Sequence, residues 1–158
     1  MTSPSTDAPL IPAAKPKPFD LADRYAAPTA DVVIVDPADL TAKIDTGLRI
    51  RIRSMYSDEA KQAATSERAK LKLVNGKVDA SDAQWEVNLF EQTVAIVDGW
   101  WDENGDVADC IVVAGVATPC TADTVRAVFT DPRTAWLQKQ VQGAYLDIGR
   151  FFPKPKTA

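Results

Sequence analysis

The side chains in this sequence that could do chemistry are 22 carboxylates, two thiols and a stripe of arginines, and histidine is absent. Without imidazole there is no Ser-His or Cys-His nucleophile pair, and the commonest general base and transition-metal ligand are missing. Paired Asp or Glu side chains can still hydrolyse glycosides, yet no motif here marks such a pair. Asp98, Asp102, Glu103, Asp106 and Asp109 gather as if around a calcium ion. The spacing fails: counted from Asp98, Trp100 takes the third loop position and Glu103 stands where a turn-making glycine is required. Asn104-Gly105 reads better as a turn leading into Val107 and the apolar run Cys110-Ile111-Val112-Val113. Cys110 and Cys120, with no histidine beside them, cannot complete a four-ligand zinc site. They read as two free thiols in partly buried positions. The expectation is a protein that is not an enzyme and uses no metal and no cofactor.

The elements that must position these residues are written in the patterning. Residues 1–18 carry Pro4, Pro9, Pro12, Pro16 and Pro18 among Ser, Thr and Ala, a composition expected to form an extended, disordered arm. Residues 19–152 are expected to form one α+β domain, β-rich over 31–55 and helical over 57–152. Val32-Val33-Ile34-Val35 is a β-branched run between Pro28 and Pro37. Leu48-Arg49-Ile50-Arg51-Ile52-Arg53 alternates strictly, so its aliphatics share one face and Arg49, Arg51 and Arg53 the other. The two strands are expected to pair antiparallel. The arginine stripe is either a solvated sheet face or a strand facing an anionic partner.

Ser57-Asp58-Glu59 caps a polar, alanine-rich surface helix, which Asn75-Gly76 is expected to end. A second helix is expected from Ser81 or Asp82 to about Asp98. Trp85, Leu89 and Ile96 lie near one side and Phe90, Val94 and Val97 widen the arc, which marks it as the core helix. The Trp100-Trp101 pair beyond Gly99 then caps that core, or offers one ring as a contact anchor. Thr121 caps a short helix to Phe129. Asp131-Pro132 is expected to open the last helix as N-cap and first residue, with Leu137, Val141, Ala144 or Tyr145, and Ile148 as its stripe and Trp136 beside it. Phe151-Phe152 is hard to bury as a pair, and exposed it would be a partner site. Residues 153–158 read as a short, flexible, basic tail.

Charge divides along the chain. Residues 43–77 hold nine basic and four acidic side chains; residues 78–148 hold three basic and twelve acidic. Such asymmetry suits two ends that meet different partners, head-to-tail self-association, or an intramolecular match. The overall charge of -4 argues against general nucleic-acid binding. No apolar run approaches the roughly 20 residues of a membrane span. The N-terminal residues show no export pattern, so the cytoplasm is the expected location.

The order of these features resembles the tail assembly chaperones of long, non-contractile-tailed bacteriophages. The likeness runs through the Pro-rich lead, the strand after Tyr25-Ala26-Ala27-Pro28, and the alternating strand before Ser54-Met55-Tyr56-Ser57-Asp58-Glu59-Ala60. It continues in Val97-Asp98-Gly99-Trp100 and is strongest in Thr121-Ala122-Asp123-Thr124-Val125-Arg126-Ala127-Val128-Phe129-Thr130-Asp131-Pro132-Arg133-Thr134-Ala135-Trp136-Leu137. It covers roughly residues 19–152. The resemblance implies a non-enzymatic protein of the infected bacterial cytoplasm. Such a protein binds the tape-measure protein, keeps it soluble, assists tail-tube protein polymerisation, and is absent from the mature virion. A tape-measure chain exposes long apolar helical stripes, so a chaperone must offer apolar grooves with polar rims. On that basis the candidate contacts are Trp100, Trp101, Trp136, Phe151 and Phe152, with Arg49, Arg51 and Arg53 as an electrostatic rim. The alternative is a structural subunit of the tail, neck or baseplate, for which an extended arm and split charge suit equally well.

Overall fold

The computed structural model of the chain describes residues 16–70, 73–74, 77–78 and 82–155. Most of the expected N-terminal arm, the end of the basic tail, and Asn75-Gly76 as a helix stop lie outside the described residues. Strands β1 (Thr29–Val35) and β2 (Asp45–Arg53) pair antiparallel, as their alternation predicts. Val32, Ile34, Ile50 and Ile52 turn inward and are essentially inaccessible, while Asp31, Val33 and the arginines face outward. Burying four aliphatic side chains of this kind stabilises the sheet by about 2 kcal/mol each.

Helix α1 (Asp58–Ala69) is capped by Ser57, whose hydroxyl accepts from Ala60 N at 3.2 Å, and it exposes most of its surface. A short pair, β3 (Leu73–Val74) and β4 (Lys77–Val78), precedes α2 (Asp82–Ile96). The core helix therefore stops two residues before its expected end, and the chain passes directly into β5 (Val97–Asp102). Trp100 does pack into the core, but from a strand rather than from a segment beyond a helix. Gly99 is unfavourable in a helix by about 1 kcal/mol and tryptophan favours strands, so the tract pairs with β2 and completes a sheet of order β1-β2-β5. Trp100 points inward opposite Ile50, and Trp101 points outward opposite Arg49.

Gly47 makes this junction possible. Its φ of +87° suits glycine, and a Cβ there would collide with Asn104 Nδ2 in the loop after β5. Glu103 N donates to Gly47 O at 2.9 Å across the same contact. Beyond the loop, β6 (Cys110–Val113) and β7 (Val116–Pro119) form a hairpin. Its two-residue turn has positive φ at both Ala114 and Gly115, the geometry that matches strand twist.

Helix α3 (Ala122–Thr130) begins at Thr121 as expected, with Thr121 and Thr124 capping each other reciprocally. Asp131 does not start the last helix. It ends α3, and α4 (Ala135–Leu146) begins three residues later than Pro132. The Asp131 carboxylate accepts from Arg133 N at 2.9 Å, and Thr134 Oγ1 donates back to Val128 O at 2.6 Å. These bonds hold Asp131-Pro132-Arg133-Thr134 as a turn rather than a first helical turn. Helices α2, α3 and α4 contribute Ile96, Val125, Phe129, Leu137, Val141 and Tyr145 to one core shared with the sheet's inner face. A final 3-10 turn (Ile148–Phe151) returns the chain to the β1 edge, where Ala27 N donates to Phe151 O at 2.6 Å. The architecture is α+β, with the C-terminal half mainly helical but also supplying the third strand and a hairpin.

Candidate functional site

The eight residues expected to meet a partner separate into three groups. Trp100 and Phe151 are core residues, 1% and 2% exposed. The Trp100 ring fills the space under the sheet and donates from Nε1 to Thr118 O at 2.9 Å, which satisfies its only polar atom. Neither ring is a surface contact, and the Phe151-Phe152 pair is not exposed together: Phe151 is buried and Phe152 partly so. Trp136 is partly buried and packs against the core.

Trp101 and the arginines share the sheet's outer face. The Arg51 guanidinium lies 5.1 Å from the Trp101 ring centroid, and the indole donates to Glu103 Oε1 at 2.9 Å. Each arginine already holds carboxylates of this chain. Arg49 pairs with Asp45 at 2.7 Å, Arg51 with Asp31 at 2.8 Å, and Arg53 with Asp98 at 2.6 Å. The hydrogen bond to Asp45 raises the Arg49 pKa, and that to Asp31 raises that of Arg51. The stripe is therefore neutralised within the molecule and offers no uncompensated positive rim. An anionic partner would first have to displace these carboxylates, which hold Arg49 and Arg51 bidentately.

One open apolar surface lies on the N-terminal half of α2. Trp85 is 63% exposed and Val87 51% exposed, although Val94 and Ile96 on the same helix are buried. The apolar arc of α2 thus runs past the body that covers it. This corrects the placement of Trp85 in the core. Trp85, Val87, Leu89 and Phe90 line a groove of about 650 Å³, closed on the α4 side by Gln138, Lys139 and Gln142. Gln138 is buried and donates to Gln142 Oε1 at 2.7 Å, which fixes that wall. At the end of the groove Glu91 accepts twice from Arg126 at 2.6 Å, and the Arg126 guanidinium lies over Phe90. The bond to Arg126 holds the Glu91 carboxyl below the usual carboxylate range. An apolar floor with a polar rim of this kind suits a helix laid in by its apolar face.

The sequence signal that could have found this groove is the breadth of the arc. An apolar stripe wider than the neighbours available to it must leave part of itself uncovered.

The Cys120 thiol offers little reactivity. Cys110 and Cys120 are both free, and burial followed by the nearby Asp98 charge pushes the Cys120 thiol up to about 11. Among the described residues no group of three or more His, Cys, Asp or Glu is arranged to hold a metal ion, and no helix is long and apolar enough to cross a membrane. No family model matches the chain, and no curated protein or solved structure is significantly similar to it.

Proposed function

We propose that this chain is a non-enzymatic assembly chaperone of a long, non-contractile phage tail. In this reading the α2/α4 groove receives an amphipathic helical segment of the tape-measure protein. The observation that carries it is Trp85, a large aromatic left 63% exposed beside Val87, Leu89 and Phe90. Tryptophan is enriched where a few side chains dominate binding energy, and a tape-measure helix presents apolar anchors at the spacing such a groove reads. The order of motifs over residues 19–152 supports the phage assignment. Covering the tape measure with many weakly held copies would keep it soluble by repetition rather than by a tight single contact. Tail-tube subunits would then displace the copies as they polymerise, in the cytoplasm of the infected host.

Two measurements test the reading. Co-expression with the tape-measure protein of the same phage should keep that protein in the soluble fraction, and Trp85→Ala should lose much of the effect. Mass spectrometry of purified virions beside infected-cell lysate should find peptides of this chain in the lysate only. Stoichiometric recovery from virions would make the chain a structural tail, neck or baseplate subunit instead.

A further inference from the structure

The sheet has a second open feature, at the edge opposite Phe151. Strand β5 is an outer strand, and among the described residues nothing pairs with its far side. Glu103 N donates inward to Gly47 O, so by alternation the backbone N–H and C=O of Trp100 point outward. Beside that edge runs a groove of about 580 Å³ between β5, the loop of residues 103–109 and the end of β7. Trp101, Val107 and Pro119 supply its apolar surface, and Asp98, Asp102 and Asp109 its charge. Arg53 neutralises Asp98 at 2.6 Å, and Arg51, the one base lining the groove among the described residues, is held by Asp31. Asp102 and Asp109 have no ion-pair partner among the described residues. The groove is thus an unpaired strand edge with a net negative wall.

We propose that this groove takes the basic tail Pro153-Lys154-Pro155-Lys156 of a second copy of this chain. The chemistry matches at two levels. Two lysines meet the two unpaired carboxylates. The alternation of Pro and Lys leaves an N–H on every second residue, so an added strand can present its lysine N–H groups to β5 and its prolines to the open side, where no donor is needed. Geometry favours a second copy over the same one. Phe151 sits at the β1 edge, bonded to Ala27, while the groove lies beyond β5, two strand spacings or about 10 Å away before the groove itself is crossed. Lys154 is three residues past Phe151 and reaches about 10 Å when fully extended. Lys156, five residues past Phe151, reaches about 17 Å, so a chain's own tail brings at most its last residues to the groove and cannot lie along β5, whereas a neighbour's can. The contact joins different surfaces on the two copies, so it builds head-to-tail chains rather than a two-fold dimer. This inference does not rest on the tape-measure reading.

The test is sedimentation of the full chain over a wide concentration series at low and high salt. The unaltered chain should associate progressively with concentration, and less at high salt. Lys154→Glu with Lys156→Glu, and separately Asp102→Asn with Asp109→Asn, should each weaken association about tenfold or more. The asparagines preserve the fold: Asp102 Oδ1 accepts from Asn104 N at 2.9 Å, a bond Asn can keep, and Asn tolerates the φ of +57° at Asp109. An equimolar mixture of the two variants should recover a heterodimer that grows no further, because it has one intact tail and one intact groove. A monomeric unaltered chain, association untouched by either pair of substitutions, or a mixture that fails to recover would each overturn the proposal. So would loss of association on Lys15→Glu with Lys17→Glu alone, since that would assign the groove to the other Lys-Pro segment. Trp85→Ala should leave the association unchanged, which separates this contact from the α2/α4 groove.

Discussion

Replacing Trp85 with alanine separates a docking role from a core role, because the two make opposite demands on stability. With 63% of the residue exposed, about 160 Å² of a tryptophan-sized surface remains open to a partner. Covering it is worth at most about 4 kcal/mol at ~25 cal/mol/Å². Association also loses rigid-body freedom and side-chain entropy, so about half of that should reach the measured affinity, roughly a thirtyfold rise in Kd. The surface already covered in the free protein is about 90 Å², at most ~2 kcal/mol, and alanine recovers about 0.5 kcal/mol through helix propensity. Trp85→Ala should therefore cost no more than ~1.5 kcal/mol of stability. Trp100→Ala, which empties a buried site and leaves Thr118 O without its donor, should cost about 4–5 kcal/mol. Urea unfolding of both variants, beside titration of a labelled tape-measure peptide into the Trp85 variant, makes the comparison. Equal stability losses at the two sites would put Trp85 in the core. Unchanged peptide affinity in a folded Trp85 variant would remove the groove from the mechanism.

Three further outcomes follow from individual contacts. Gln140 bridges the β1 edge, accepting from Val35 N at 3.0 Å and donating to Val35 O at 2.9 Å; Gln140→Ala should cost ~1–2 kcal/mol by leaving both groups unpaired, read as a lower urea midpoint at unchanged slope. Glu91 has a depressed pKa because of Arg126, so its contribution is present above the ordinary carboxylate range and lost as pH falls through the lower folded value. Both side chains are partly exposed, at 26% and 49%, so after screening Glu91→Gln should remove no more than ~1 kcal/mol at neutral pH and flatten the acid limb of the stability profile; an unchanged acid limb would contradict the pairing. Cys120, raised to about 11, should alkylate at pH 8 more than ~100-fold slower than an unperturbed thiol, as followed by mass spectrometry of the modified peptide; rapid labelling would show that the site opens readily.

The sequence was legible where one periodicity served one neighbour. Leu48, Ile50 and Ile52 alternate with three arginines and do form the inward face of a strand; Ser57 and Thr121 cap the helices they precede. It was illegible where two periodicities met. From Phe90 to Val97 the apolar residues fit a helix, and from Val97 to Asp102 they fit a strand, with no Pro or turn between to mark the change. A helical reading of this stretch therefore runs through Val97 and puts Trp100 beyond the helix, whereas Trp100 lies in a strand opposite Ile50. Asp131-Pro132 misled for another reason: the Asp-Pro step favours a helix start, but the bonds from Arg133 N and Thr134 Oγ1 depend on how α3 ends. The arginine stripe shows the limit for function. Its face was readable, but its partners Asp31 and Asp98 come from different strands, so its neutrality is a property of register that composition does not reveal.

The two proposed surfaces occupy one continuous stretch of chain, which makes their independence a sharp expectation. Trp85 stands near the start of α2, and Asp98 and Asp102 lie in the strand that continues it. Thirteen residues separate Trp85 from Asp98, about 17 Å along the helix before the chain turns into β5. Among the described residues none lines both grooves. Perturbations that far apart with no shared partner should add within about 0.5 kcal/mol. A chain carrying Trp85→Ala together with Asp102→Asn and Asp109→Asn should therefore show the separate losses in peptide affinity and in self-association unchanged in size. A coupling clearly above that margin would mean that filling one groove moves α2 against β5. The two surfaces would then be ends of one switch, and the junction at Val97 the element to examine.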